Sequence, residues 1–288
     1  MITASIVKEL RDKTNAGMMD CKKVLTETNG DIDASIKLLR ERGIMKAGSK
    51  SDRAANEGII TARVNDDASV GIMLEINCET DFVSRNDNFQ AFVTEIADKL
   101  AASDAKDHAA ALAVSHGQST LEDFVKEKVL ELGENIQLRK YTRFDAAPGG
   151  AIGSYIHLGG KVGVLIEVGT TKPETKSTES FQELIKDLNL HIAASAPKGL
   201  SRDDIPQDII DAEQDIFAVR LREQGKPENI IPNILKGQLA KFFAESCFLE
   251  QGFVKDPDIT INQLLENKSK ELGDTLTVTR FVRYGLGE

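Results

Sequence analysis

Asp81 and Phe82 stand side by side in the run Asn77-Cys78-Glu79-Thr80-Asp81-Phe82-Val83. An apolar run, Val70-Gly71-Ile72-Met73-Leu74-Glu75-Ile76, precedes it and has the length and β-branched content of a buried strand. After it comes a polar break, Ser84-Arg85-Asn86-Asp87-Asn88, and then a helical pattern opening at Phe89-Gln90-Ala91-Phe92-Val93. A carboxylate and an aromatic ring at a strand-to-helix handover suit binding, because rigid elements hold such loops in place. The residues alone leave a plain alternative open, in which Asp81 caps a turn and Phe82 joins the core.

Covalent chemistry finds no support elsewhere. Gly159-Gly160-Lys161-Val162-Gly163 is glycine-rich but lacks the spacing and the hydroxyl of a phosphate-binding loop. It reads as a hairpin turn after Tyr155-Ile156-His157. Histidines 108, 116, 157 and 191 have no zinc-ligand spacing, and no CxxC occurs. No nucleophile–base pair stands out. The sequence therefore offers no catalytic residue, no metal site and no cofactor.

Composition narrows the setting. The 288 residues suggest two or three structural units. A formal net charge of −10 argues against a general nucleic-acid binder, and the absence of Trp leaves few base-stacking platforms. Three scattered cysteines, Cys21, Cys78 and Cys247, fit a reducing compartment. The start, Met1-Ile2-Thr3-Ala4-Ser5, does not read as a targeting peptide, and no apolar run approaches the ~20 residues of a membrane span. A cytoplasmic protein with no membrane contact is the expectation.

Three short helices are expected in residues 1–45, marked by Ile6, Val7 and Leu10, then Met18 to Leu25, then Ile36, Leu38 and Leu39, with Gly43 as the final cap. Such a small bundle suits docking. Met18-Met19 is either core or adaptable contact surface, and Lys22-Lys23 is either a solvated face or an interface rim. Residues 46–57, small and charged, read as a linker.

Beyond it lies an internal repeat. Residues 70–76 match Val162-Gly163-Val164-Leu165-Ile166-Glu167-Val168 at an offset of 92, which also carries Phe89-Gln90 onto Phe181-Gln182. Each copy reads as a strand pair, a helix and a returning strand. The returning strands are expected at 132–138 and 272–278, an offset of 140, so the second copy carries about 48 extra residues. Asp81 falls on Pro173 at the offset of 92. The acidic–aromatic pair is thus not required by the shared fold, which favours a functional role.

Inside the insertion, Ile205, Ile209, Ala212, Ile216 and Val219 have coiled-coil spacing. Gly225-Lys226-Pro227 breaks the helix, and Leu235, Leu239 and Phe242 mark a return, with Pro232 near its start. Ile210, Phe217 and Leu221 form a second stripe, which either packs on the core or meets a partner.

Four motifs occur in a familiar order: Leu10-Arg11 through Thr14-Asn15-Ala16-Gly17-Met18-Met19-Asp20-Cys21-Lys22-Lys23, the 77–83 run, Gly153-Ser154-Tyr155-Ile156-His157, and His191-Ile192-Ala193-Ala194-Ser195-Ala196-Pro197. Together they span nearly the whole chain and resemble the bacterial translation elongation factor Ts family. Two departures are visible: Asn15 where that family usually has glycine, and Gly252 where it commonly has proline, a change expected to loosen the loop. The resemblance implies an α+β protein with a ubiquitin-associated-like three-helix bundle at 1–45 and a linker at 46–57. The core would comprise subdomain N at 58–144 and subdomain C at 145–288, with a coiled-coil hairpin inserted at 198–250.

It also implies a guanine-nucleotide exchange factor without cofactor or covalent chemistry. Such a factor binds elongation factor Tu carrying GDP, perturbs the magnesium and phosphate site and releases the nucleotide, so that GTP rebinds. Asp81 and Phe82, flanked by Thr80 and Val83, resemble the pair that wedges near the partner's magnesium. Met19 and Lys22 match N-terminal contacts, and Lys50 lies near a linker contact. Leu132-Gly133 would begin a strand touching the GTPase domain. His157 and Val254 resemble further contacts, and the hairpin resembles the family's self-association element. Rival readings are a non-catalytic adaptor and an enzyme with an unrecognised pocket.

Overall fold

Apolar spacing of three and four residues builds the N-terminal helices α1 (Ala4–Thr14), α2 (Met18–Glu27) and α3 (Ile32–Lys50). The structure is a computed structural model describing residues 2–14, 16–50 and 53–288, with backbone alone at 12, 40 and 43–50. Val7, Leu10, Cys21, Val24 and Leu25 form a small core, closed by Ile32, Ile36 and Leu39. Asn29 and Gly30, both at positive φ, make the turn into α3. The expected stop at Gly43 is not there. Helix α3 continues to Lys50, so residues 46–50 of the expected linker are helical. An interior glycine costs a helix only about 1 kcal/mol, which its neighbours can offset. Asn15 lies outside the described residues.

The remaining chain is mixed helix and sheet. Strands β1 (Glu57–Val64), β2 (Val70–Cys78) and β5 (Gln137–Asp145) form one antiparallel sheet in the order β1-β2-β5. Between β2 and β5 run α4 (Asp81–Ser84), α5 (Asp87–Ala101), α6 (His108–Leu112), the small ladder β3 (Ser115–His116) with β4 (Ser119–Thr120), and α7 (Leu121–Leu132). Strands β6 (Gly150–His157), β7 (Val162–Gly169) and β10 (Thr277–Gly285) form the second sheet, in the order β10-β7-β6. Helix α8 (Glu179–Ser195) follows β7, and α11 (Ile261–Leu272) precedes β10.

Alternation along the middle strands sorts their side chains into two layers. Ile72, Leu74 and Ile76 of β2 pack with Phe89, Phe92 and Ile96 of α5 and with Leu121 and Val125 of α7. Val164, Ile166 and Val168 of β7 pack in the same way with Phe181, Leu184 and Leu188 of α8 and with Ile261 and Leu265 of α11. The opposite faces meet each other through Ile60, Met73, Phe144, Ile152, Leu165 and Tyr284. Glycine permits this approach. A Cβ on Gly71 would lie 2.5 Å from Ile152 Cγ2, and one on Gly163 would lie 2.5 Å from Ile60 Cγ2. These two glycines are counterparts at the offset of 92.

The returning strands begin five residues later than expected, at Gln137 and Thr277. Leu132 and Leu272 instead end helices, and Gly133 and Gly273 cap them in the left-handed region. Between α8 and α11 lie α9 (Gln207–Glu223), α10 (Ile231–Ser246), β8 (Gly252–Phe253) and β9 (Asp256–Thr260). Helices α9 and α10 form the inserted hairpin, turning at Gly225 with φ of 70°. Arg202 anchors its base through two hydrogen bonds to Glu250, at 2.6 and 2.7 Å. Of the expected stripe, Ile205 alone joins the seam, in one cluster with Phe242 and Cys247. Ile210 and Phe217 pack with Phe242 and Phe243, and Leu221 is buried, whereas Ile209, Ala212, Ile216 and Val219 face solvent.

Candidate partner-binding site

Strand β2 ends at Cys78, and the chain reverses through Glu79 and Thr80 into the single turn α4. Thr80 caps that turn from an extended conformation, its hydroxyl accepting the Val83 N–H at 3.4 Å. Asp81 therefore is not the cap; it opens the turn and pairs with Arg85 at 3.1 Å on the surface. Val83 packs against the core beneath α5. Phe82 is 83% exposed and does not join the core, which removes the plain alternative for this ring. The ring is thus held out to solvent on a short, braced turn.

The brace is a carboxylate from the other end of the domain. Glu134, just beyond α7, accepts the N–H groups of Glu79 and Thr80 at 3.0 and 3.1 Å and the Thr80 hydroxyl at 2.6 Å. Glu79 returns the bond, accepting the Asn135 N–H at 2.7 Å. Asn135 donates its side-chain amide to the Arg53 carbonyl at 2.8 Å, and the Arg53 guanidinium lies 3.5 Å from Glu79. Beneath the turn, the Cys78 thiol donates to the Thr80 carbonyl at 3.2 Å. Burial, with the Glu134 and Glu57 carboxylates, pushes that thiol up to about 12, so it stays protonated and unreactive.

The second half of the repeat carries the same brace without the exposed ring. Asp274 is the counterpart of Glu134 at the offset of 140. It accepts the Thr171 and Lys172 N–H groups at 3.0 and 3.2 Å, and the hydroxyls of Thr171 and Thr175. The chain there enters a 3₁₀ turn, Pro173–Ser177. Pro173 occupies the place of Asp81, and no aromatic ring is presented. Glu134 and Asn135 were missed as site residues. The paired strings Leu132-Gly133-Glu134 and Leu272-Gly273-Asp274 held the signal.

A family profile described as Elongation factor TS matches residues 79–288, from the Glu79 turn to the end of the chain. Elongation factor Ts of Trichlorobacter lovleyi is 41% identical over 290 residues, covering all of this chain and 93% of that protein. Elongation factor Ts of Clostridium perfringens is 42% identical over 289 residues, covering all of this chain and 94% of that protein. The chain belongs to the elongation factor Ts family.

Elongation factor Ts membership makes it a translation elongation factor. The other expected contact residues sit on separate elements. Met19, 74% exposed, and Lys22 line a shallow depression on α2. Lys50 ends α3, and its side chain lies outside the described residues. Leu132 and Gly133 do not begin a strand but close α7, which brings them to Glu134 and so to the Thr80 turn. His157 ends β6, exposed, its Nδ1 3.0 Å from the Tyr155 hydroxyl. Val254 lies between β8 and β9, its N–H donating to Nδ1 of buried His191 at 3.2 Å. Gly252 pairs with Thr260 in that ladder. Among the described residues, no group of three or more His, Cys, Asp or Glu is placed to hold a metal ion. No helix there is long and apolar enough to cross a membrane.

Proposed function

We propose that this chain is a guanine-nucleotide exchange factor that binds elongation factor Tu–GDP, perturbs its magnesium and phosphate site, and releases GDP so that GTP rebinds. The observation that carries this reading is Phe82, 83% exposed on a turn braced from two sides, with Asp81 beside it. The contact surface comprises Thr80, Asp81, Phe82 and Val83, with Leu132 and Gly133 next to them. Met19, Lys22, Lys50, His157 and Val254 make further contacts with the same partner. The N-terminal helices act as a ubiquitin-associated-like docking module.

Energy decides how the labour divides. A thousandfold faster release needs about 4 kcal/mol off the barrier. Burying one phenylalanine side chain supplies roughly 1.5–3 kcal/mol. Phe82 shifts the partner's structure, and weakened magnesium coordination at the phosphates supplies the remainder, because the ion neutralises much of their charge. The factor must bind the nucleotide-free state better than the GDP-bound state, and that coupling is reciprocal.

Stopped-flow release of a fluorescent GDP from elongation factor Tu tests the proposal. Wild-type chain accelerates release, and a folded Asp81→Ala/Phe82→Ala double variant leaves it near the spontaneous rate. Wild-type chain that binds without accelerating release would instead be a scaffold.

A further inference from the structure

We propose that Glu134 is a positioning residue for exchange: its carboxylate fixes the Thr80 turn and thereby the direction in which Phe82 is presented. This rests on the exchange reading above. Thr80 Oγ1 serves two bonds at once, donating its hydrogen to Glu134 at 2.6 Å and accepting the Val83 N–H at 3.4 Å. A hydroxyl has one hydrogen, so giving it to Glu134 turns a lone pair toward Val83. That second bond starts α4, whose second residue is Phe82. The other Glu134 oxygen holds the two backbone N–H groups that enter the turn. Removing the carboxylate frees three donors and releases the start of the turn, while Phe82 has no packing of its own to keep its place.

The clamp also reaches outward. Glu79 holds Asn135, and Asn135 holds the Arg53 carbonyl, just ahead of β1. The turn that carries Phe82, the end of α7 and the segment arriving from the N-terminal helices are thereby fixed relative to one another.

The repeat supplies a control inside the same molecule. Asp274 makes the equivalent clamp on the 171–175 turn, which presents no ring. A merely structural carboxylate would behave alike in both halves. A positioning carboxylate would matter to exchange only in the first.

The experiment measures GDP release against factor concentration for wild type, Glu134→Ala, Asp274→Ala and Phe82→Ala, and for Glu134→Ala combined with Phe82→Ala. Melting temperatures establish folding. Misplacing a reacting group by an ångström can cost about a hundredfold. Glu134→Ala is expected to lower the saturating release rate by about tenfold or more, and Asp274→Ala to stay within about twofold of wild type. In the Phe82→Ala background, Glu134→Ala should add less than about twofold, because coupled residues are not additive. Should Glu134→Ala fail to fold, the isosteric pair Glu134→Gln and Asp274→Asn carries the same comparison. Equal exchange in the two clamp variants would overturn the inference, as would a full additional loss in the Phe82→Ala background. Wild-type chain without acceleration would overturn the exchange reading itself, and this inference with it; acceleration by wild type with an indifferent Glu134 overturns the inference alone.

Discussion

At Phe82, stability and the proposed exchange role should separate. Its ring is exposed, so Phe82→Ala should change the folding free energy by no more than about 0.5 kcal/mol. The same change should cost exchange about 10- to 100-fold, the share that ring burial contributes. Urea denaturation and stopped-flow release on one preparation check both halves of that statement. His191 offers a contrasting, buried case. Its Nδ1 accepts the Val254 N–H, so Nε2 carries the hydrogen and donates to Gln251 Oε1 at 2.9 Å. Burial among Phe248 and Phe253 pushes the imidazole down, and the Gln251 bond offsets this only in part. The unfolded chain therefore takes up this proton first. Stability from this group is full above the unfolded value of about 6.5 and is lost as pH falls toward the lower folded value. Denaturation at pH 7.5 and 5.5 should show a drop in wild type that is smaller in His191→Gln. Phe82 was legible in the sequence because it departs from the repeat. Glu134 was not, because a carboxylate on a polar loop looks like solvated surface until its three donors are seen.

At the scale of elements, spacing located the N-terminal helices, α5, α8, the hairpin and the middle strands, but not α7 and α11, the second helix ahead of each returning strand, and it placed the ends of elements poorly. Leu132-Gly133 and Leu272-Gly273 resemble the start of a strand because β-rich residues follow them. In the structure each glycine takes a positive φ and closes a helix, a conformation no spacing rule reveals. The hairpin shows a second limit. Two apolar stripes run along α9, and heptad spacing favoured the wrong one as the seam. The stripe with Phe217 and Leu221 wins inside the hairpin because large side chains on α9 meet Phe242 and Phe243 on α10. Ile209, Ile216 and Val219 are left facing water, so any self-association through the hairpin should run through them. Ile216→Lys with Val219→Glu should leave the melting temperature nearly unchanged, since neither side chain is buried. Any dimer detected by sedimentation equilibrium should dissociate in that variant; a dimer that persists must use another face.

Beyond the N-terminal helices and the inserted hairpin, the chain is two copies of one unit with their sheets face to face, and the repeat reaches the buried charges. Glu75 on β2 accepts the Gly287 N–H at 2.9 Å, with Lys140 of β5 at 3.2 Å. Glu167 on β7 accepts the Ala147 N–H and the Arg280 guanidinium at 2.8 and 2.7 Å. Each carboxylate thus lies in the middle strand of one sheet, paired with a cation on the neighbouring strand. The offsets of 92 and 140 disclosed this repeat in the sequence, but not that the two sheets would stack. That follows from Gly71 and Gly163, where any side chain would collide with the opposing sheet. A shared apolar interface should make the halves unfold together, because neither sheet can expose that face without uncovering the other. Gly163→Ala should therefore destabilise the fold by about 1–3 kcal/mol, the usual cost of overpacking. Its effect should reach both halves: native-state hydrogen exchange should show amides of β2 losing as much protection as those of β7. Loss confined to β7 would mean that each half opens alone, and that the second sheet is a partner to the first rather than part of one cooperative core.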